Sequence, residues 1–134
     1  MSNENEILAK GLTAPRITPA DIEAIIEREQ YFTAANGVLG ALIDVGVPMF
    51  VAAVKDDQHP DSPLHQVTIC VMRLRNGHKI VGVNEGGVSA ANFDPELGRK
   101  LARQKAIDQI WPLMGYELKC RLAREAAEQE GGAA

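Results

Sequence analysis

Hydrophobic and polar positions divide the chain into stretches of different period. In TPADIEAIIEREQYF, Ile22, Ile25 and Ile26 follow an i, i+3, i+4 spacing that ends on charged Glu29, which predicts a short helix burying mainly its first two turns. Thr18 can cap it, Pro19 suits its first position, and Asp21 stands at capping-box spacing. Residues 34–54 are apolar but interrupted by Gly37, Gly40, Gly46 and Pro48. Their mixed period predicts a helical turn near 37–43 and a strand near 49–54. KDDQHPDSP then has the composition of a solvated loop.

From Gln66 the period becomes two. Residues 67–75 and 78–84 flank Asn76-Gly77, the strongest two-residue hairpin signal, because a type I′ turn needs positive φ at both central positions. That turn would face Leu74 with Lys79, Met72 with Val81 and Cys70 with Val83. It would leave Val71, Arg73, Arg75, His78 and Ile80 on the opposite face. A half-buried hairpin requires a helix or another sheet to cover it.

A second helical period begins at Asp94, an N-cap residue followed by Pro95, and runs through Leu97, Leu101, Ala102, Ala106 and Ile110. Pro112 and Gly115 are expected to break it, with a further helix over about 116–128 carrying Leu118, Leu122 and Ala126. Trp111 and Tyr116 beside the break read as core anchors. The predicted fold is α+β: an N-terminal helix, a small antiparallel sheet built on a β-hairpin, and a C-terminal helical hairpin. Residues 1–15 read as a flexible lead, 16–128 as a single domain, and 129–134 as a flexible tail.

Composition narrows the class. The chain has 134 residues, 46% of them hydrophobic, 24% charged and only 4% aromatic, the profile of a globular domain with an aliphatic core. A formal charge of −4 opposes general attraction to nucleic acid. Cys70 and Cys120 form no CxxC, and His59, His65 and His78 lack ligand spacing, so no metal site and no cofactor is expected. Neither a signal peptide nor a long apolar run is present, which predicts a cytoplasmic protein with no membrane partner.

No catalytic constellation appears: phosphate loop, GxSxG and HExxH are all absent, and a non-enzyme is expected. One basic pattern stands out. Arg121 and Arg124 have glutamates four residues away on their own helix, whereas Arg103 has Arg99 and Lys100 at i−4 and i−3 and no acid at i+3 or i+4. Arg99, Lys100 and Arg103 thus repel one another near a helix start, where the macrodipole also disfavours cations. Either an anionic ligand or acids from another segment or another subunit must neutralise them. Just upstream, Asn92 and Phe93 offer an amide and a flat ring, a kit for a nucleotide base beside phosphate-binding guanidiniums. Phe93 equally suits a hydrophobic staple on the first turn.

Three segments, RITPADIEAIIEREQYFTAANGV, VTICVMRLRNGHKIVG and ANFDPELGRKLARQKAIDQIWPLMGYELKCRL, together resemble a family of small bacteriophage and prophage proteins typified by proteins of phages N4 and Sf6. The likeness is collinear over about residues 16–122. His78 stands where that family usually has Phe, and GGVSA where it usually has a Cys-x-x-Pro segment. The pattern also resembles, at greater distance, the Thoeris anti-defence sponge proteins, which hold cyclic ADP-ribose isomers or cyclic oligonucleotides in symmetric oligomers. This second resemblance implies a phage sponge that sequesters a cyclic nucleotide immune signal without turnover, in the cytoplasm of the infected host. The expected ligand residues are Asn92 and Phe93 for the base, Arg99 and Arg103 for phosphates, and Arg73, Arg75 or His78 from the hairpin. Short amphipathic helices in an aliphatic-rich chain also predict a homo-oligomer. The competing reading is a protein-interaction module that binds and inhibits a host protein; a DNA-binding accessory role is opposed by the net charge.

Overall fold

A computed structural model of the chain describes residues 3–11 and 14–133. The elements run α1 (Asn3–Ala9), α2 (Pro19–Ile25), β1 (Ile26–Thr33), α3 (Ala34–Asp44), α4 (Met49–Ala52), β2 (Thr68–Leu74), β3 (Lys79–Asn84) and α5 (Pro95–Ala133), with 3₁₀ turns between. The fold is α+β, a three-stranded antiparallel sheet in the order β1-β2-β3 with the long helix α5 across one face. The expected lead and tail fall partly on residues 1–2, 12–13 and 134, outside the described residues; Asn3–Ala9 within that lead is helical, and α5 continues through the expected tail to Ala133.

Helix α2 starts as its sequence dictates. The Thr18 hydroxyl accepts from the Asp21 N–H at 3.2 Å and the Asp21 carboxylate accepts from the Thr18 N–H at 2.8 Å, a complete capping box. The helix ends at Ile25, and EREQYF enters strand β1 instead of extending it. Pairing with β2 overrides the helix propensity of Glu, Arg and Gln. Without β1 the hairpin would be a marginal two-stranded ribbon. Thr33 closes the strand and caps α3 with a second reciprocal box, its hydroxyl taking the Asn36 N–H at 3.1 Å.

The strand expected at 49–54 is helix α4. The Pro48 carbonyl accepts from the N–H groups of both Val51 and Ala52, and Ala52 is buried, so the backbone groups close locally and need no strand partner.

The hairpin forms, but one residue away from the expected register. Met72 pairs with Ile80, Cys70 with Gly82 and Ile69 with Val83. Its loop has three residues: the Gly77 N–H reaches the Leu74 carbonyl and the Leu74 N–H reaches the His78 carbonyl, both at 2.9 Å. Only Gly77 takes positive φ, +87°, and Asn76 does not. A type I turn followed by a left-handed glycine satisfies the same Asn-Gly cue as a type I′ turn. Because strand side chains alternate, the one-residue shift turns Ile80, rather than Val81, into the core.

Cys70, Met72, Leu74 and Ile80 meet Ala102, Ala106 and Ile110 of α5, with Ile22 closing the end. Helix and sheet touch almost backbone to backbone. A Cβ on Gly82 would stand 2.6 Å from the Ala106 nitrogen and closer still to the Ala102 carbonyl oxygen. Helix α5 is one element of 39 residues, where a helical hairpin was expected. Pro112 is exposed, as is Asp108 four residues earlier, so the carbonyl that loses its N–H partner faces water and the helix passes through. Trp111 packs on the core edge as anticipated, but Tyr116 is 73% exposed and anchors nothing.

Candidate functional site

The start of α5 is built by three local interactions. Asp94 caps it, one carboxylate oxygen accepting from the Glu96 N–H at 2.9 Å and its carbonyl from the Gly98 N–H at 2.8 Å. Phe93, one residue before the cap, lays its ring on Gly98, where a Cβ would sit 3.2 Å from the ring edge. This is a staple whose helical member is a glycine, so the ring rests on backbone. The Thr68 hydroxyl would stand 2.7 Å from the same Cβ. The helix start is therefore pressed against the first residue of β2.

Two clefts open on either side of Phe93. One, of about 120 Å³, has Phe32, Thr33, Asn36, Thr68 and Arg99 in its walls; the other, of about 280 Å³, has Asn84, Gly87, Asn92, Leu97 and Leu101. Asn92, Phe93 and Arg99 thus come together at one end of the molecule. Arg99 is exposed and makes no ion pair among the described residues. Thr33, Asn36 and Thr68 add hydroxyl and amide groups that the sequence analysis did not assign to a site. The Thr33-x-x-Asn36 capping spacing was the available signal for the first two.

The other four predicted residues lie elsewhere. Arg103 is held by acids from two other elements, donating to Glu29 at 3.0 and 3.2 Å and to Glu23 at 2.6 Å. The partners missing from its own helix come from β1 and α2, so the Arg103 guanidinium is engaged by two carboxylates of its own chain. The hydrogen bond from Arg103 holds the Glu29 carboxyl below its ordinary range, and the two glutamates raise the Arg103 pKa further. Tyr31 also donates to Glu29, at 2.7 Å. Burial, then this bond, raise the tyrosine pKa, while burial pushes the neighbouring Cys70 thiol up. Together these groups make a closed polar patch beside the core.

Arg73, Arg75 and His78 stand at the hairpin-turn end, the length of β2 away, roughly 20 Å at strand rise. Arg73 pairs with Glu27 at 3.3 Å and Arg75 donates to the Ala24 carbonyl at 2.6 Å. His78 lines a separate cleft of about 300 Å³ with Leu74, Ile110 and Leu113. The hairpin therefore does not contribute to the cleft at Phe93.

Among the described residues no group of three His, Cys, Asp or Glu could hold a metal ion, and no helix is long and apolar enough to cross a membrane. No curated protein and no solved structure matches the chain. A family model does, over residues 17–122, from the α2 cap through β1, the hairpin, the Phe93 clefts and most of α5. The chain belongs to the phage protein family of N4 Gp49 and phage Sf6 gene 66.

Proposed function

We propose that this phage protein binds a small anionic ligand of nucleotide type in the clefts about Phe93 and holds it without turnover, as a sponge for a cyclic nucleotide or cyclic ADP-ribose immune signal. The observation that carries the reading is the placement of Arg99 and Asn92 in two neighbouring clefts that share Phe93, with no ion pair to Arg99 among the described residues, while Arg73 and Arg103 are engaged by carboxylates. The ring of Phe93 gives a surface for a base, Asn92 and Asn36 give amides for its polar edge, and Arg99 gives a charged fork for phosphate. Sequestration asks for affinity alone.

The test is calorimetric titration and thermal shift with cyclic dinucleotides and cyclic ADP-ribose isomers, since a ligand that binds only the native state raises the melting temperature. Arg99→Glu should weaken binding at least tenfold, the effect of losing a charge-assisted bond of about 1.5–3 kcal/mol. No shift with any of these ligands would reject the reading.

The alternative, a module that docks on a host protein, is favoured by one specific observation. Val45, Phe50 and Val54 are each more than three-quarters exposed around helix α4, a cluster of apolar side chains of the kind that marks interaction surfaces. Capture of a host protein that is lost with Phe50→Asp, together with unchanged melting across the ligand panel, would support this alternative over the sponge.

A further inference from the structure

Thr68, the first residue of β2, is only 3% exposed, and its hydroxyl meets no hydrogen-bond partner among the described residues. A buried hydroxyl without a partner costs stability. The side chain nevertheless lines the small cleft, as Arg99 does. Gly98 leaves open the space that a Cβ would fill, 2.7 Å from this hydroxyl and 3.2 Å from the ring edge of Phe93. The fold thus keeps a polar group uncovered at a place where a valine would pack without penalty.

The capping box at the start of α3 adds donors to the same cleft. The Thr33 hydroxyl oxygen accepts the Asn36 N–H and the Asn36 side-chain oxygen accepts the Thr33 N–H, so the box uses acceptors and leaves the Thr33 O–H and the Asn36 amide N–H groups unspent. No carboxylate lines this cleft. Hydroxyl and amide donors around one guanidinium recognise an oxyanion. The volume of about 120 Å³ equals that of about four waters, which a single phosphoryl group fills and a pyrophosphate overfills. The larger cleft has the opposite character: no cation lines it, and Asp94 does. One oxygen of that carboxylate takes the Glu96 and Leu97 N–H groups, and the other is unengaged among the described residues. Its charge opposes a phosphate there, and its free oxygen can accept from the amino group of a base.

We propose that the small cleft is a subsite for one phosphate, with the Thr68 and Thr33 hydroxyls donating to the group that Arg99 neutralises, and that the ligand is therefore a phosphodiester-linked cyclic nucleotide and not a pyrophosphate-bridged one. A diester separates its phosphates by a sugar, so one fills the small cleft while the base crosses Phe93 into the larger. A pyrophosphate would have to place its second charge outside the small cleft, and the cleft beyond Phe93 meets it with a carboxylate. The inference rests on the nucleotide reading given above and chooses between the two ligand classes that reading admits.

Calorimetric titration of the full chain with cyclic di-AMP and with cyclic ADP-ribose isomers tests it, using the parent, Thr68→Val and Thr68→Ser. Valine keeps the shape of threonine and removes only the hydroxyl, so the melting temperature of Thr68→Val without ligand should stay level or rise. The parent should bind cyclic di-AMP at least about tenfold more tightly than the cyclic ADP-ribose isomers. Thr68→Val should lose roughly tenfold in affinity for cyclic di-AMP, the effect of removing a bond to a charged group, and Thr68→Ser should bind as the parent does. Three results overturn the inference and leave the nucleotide reading standing: cyclic ADP-ribose isomers bound as tightly as cyclic di-AMP, unchanged affinity in Thr68→Val, or a lowered melting temperature in that variant, which would give the hydroxyl a structural role. Binding of neither ligand class overturns both.

Discussion

Arg103 shows how one side chain can satisfy two sequence-level descriptions. Its own helix offers it no acid, and the sequence marks it as a residue in need of an anion. Glu29 and Glu23 supply that anion from β1 and α2. They were invisible as partners because a helical reading of EREQYF aims Glu29 along a different face. Arg103→Ala should lower stability by about 1–2 kcal/mol, since a half-buried carboxylate loses its charged donor, while leaving nucleotide affinity unchanged. Thermal melting beside calorimetric titration checks both halves. The same pair sets an acid limit. The folded pKa of Glu29 is depressed below its unfolded value, so the stability it contributes is present above the unfolded pKa and is lost as pH falls through the folded one. Melting temperature against pH should therefore fall more steeply below about pH 4.5 in the parent than in Arg103→Ala. Parallel curves would show that the bond contributes nothing to folding.

At the scale of elements, the hairpin and the close approach of α5 decide where the clefts open. The period-two runs and Asn76-Gly77 located the strands, but the turn type was underdetermined, because Asn-Gly serves both a two-residue and a three-residue loop. A shift of one residue then exchanged Val81 for Ile80 in the core. Gly77→Val should cost more than about 1 kcal/mol, because a β-branched residue resists the positive φ held there. Gly82→Ala tests the contact instead of the turn. Its methyl meets helix backbone that cannot swing aside, and overpacking of this kind costs about 1–3 kcal/mol. Equal urea midpoints for Gly82→Ala and parent would mean the helix can shift away. The N-terminal capping box and the Asp94 cap were legible because each is encoded within four residues. Strand β1 and the continuity of α5 were not. One depends on a partner strand about forty residues away, and the other on Pro112 facing water, which no local rule specifies.

At the scale of the molecule, the Phe93 clefts lie at one end of the sheet and the hairpin turn, beside Leu113 and Glu117 of α5, at the other. The sequence brought Asn92, Phe93 and Arg99 together because they are neighbours along one cap and one helical turn. It also grouped Arg73, Arg75 and His78 with them, since sequence alone does not reveal which end of a hairpin a helix start will meet. The central claim is sequestration without chemistry, and its most direct test is recovery of the ligand. A cyclic ADP-ribose isomer or cyclic dinucleotide that raises the melting temperature is incubated with the protein, the complex is denatured, and the released molecule is identified by chromatography and mass. The account predicts the same molecule in full yield and less of it retained by an Arg99→Glu sample separated from free ligand; new products, or equal retention by the variant, would contradict it.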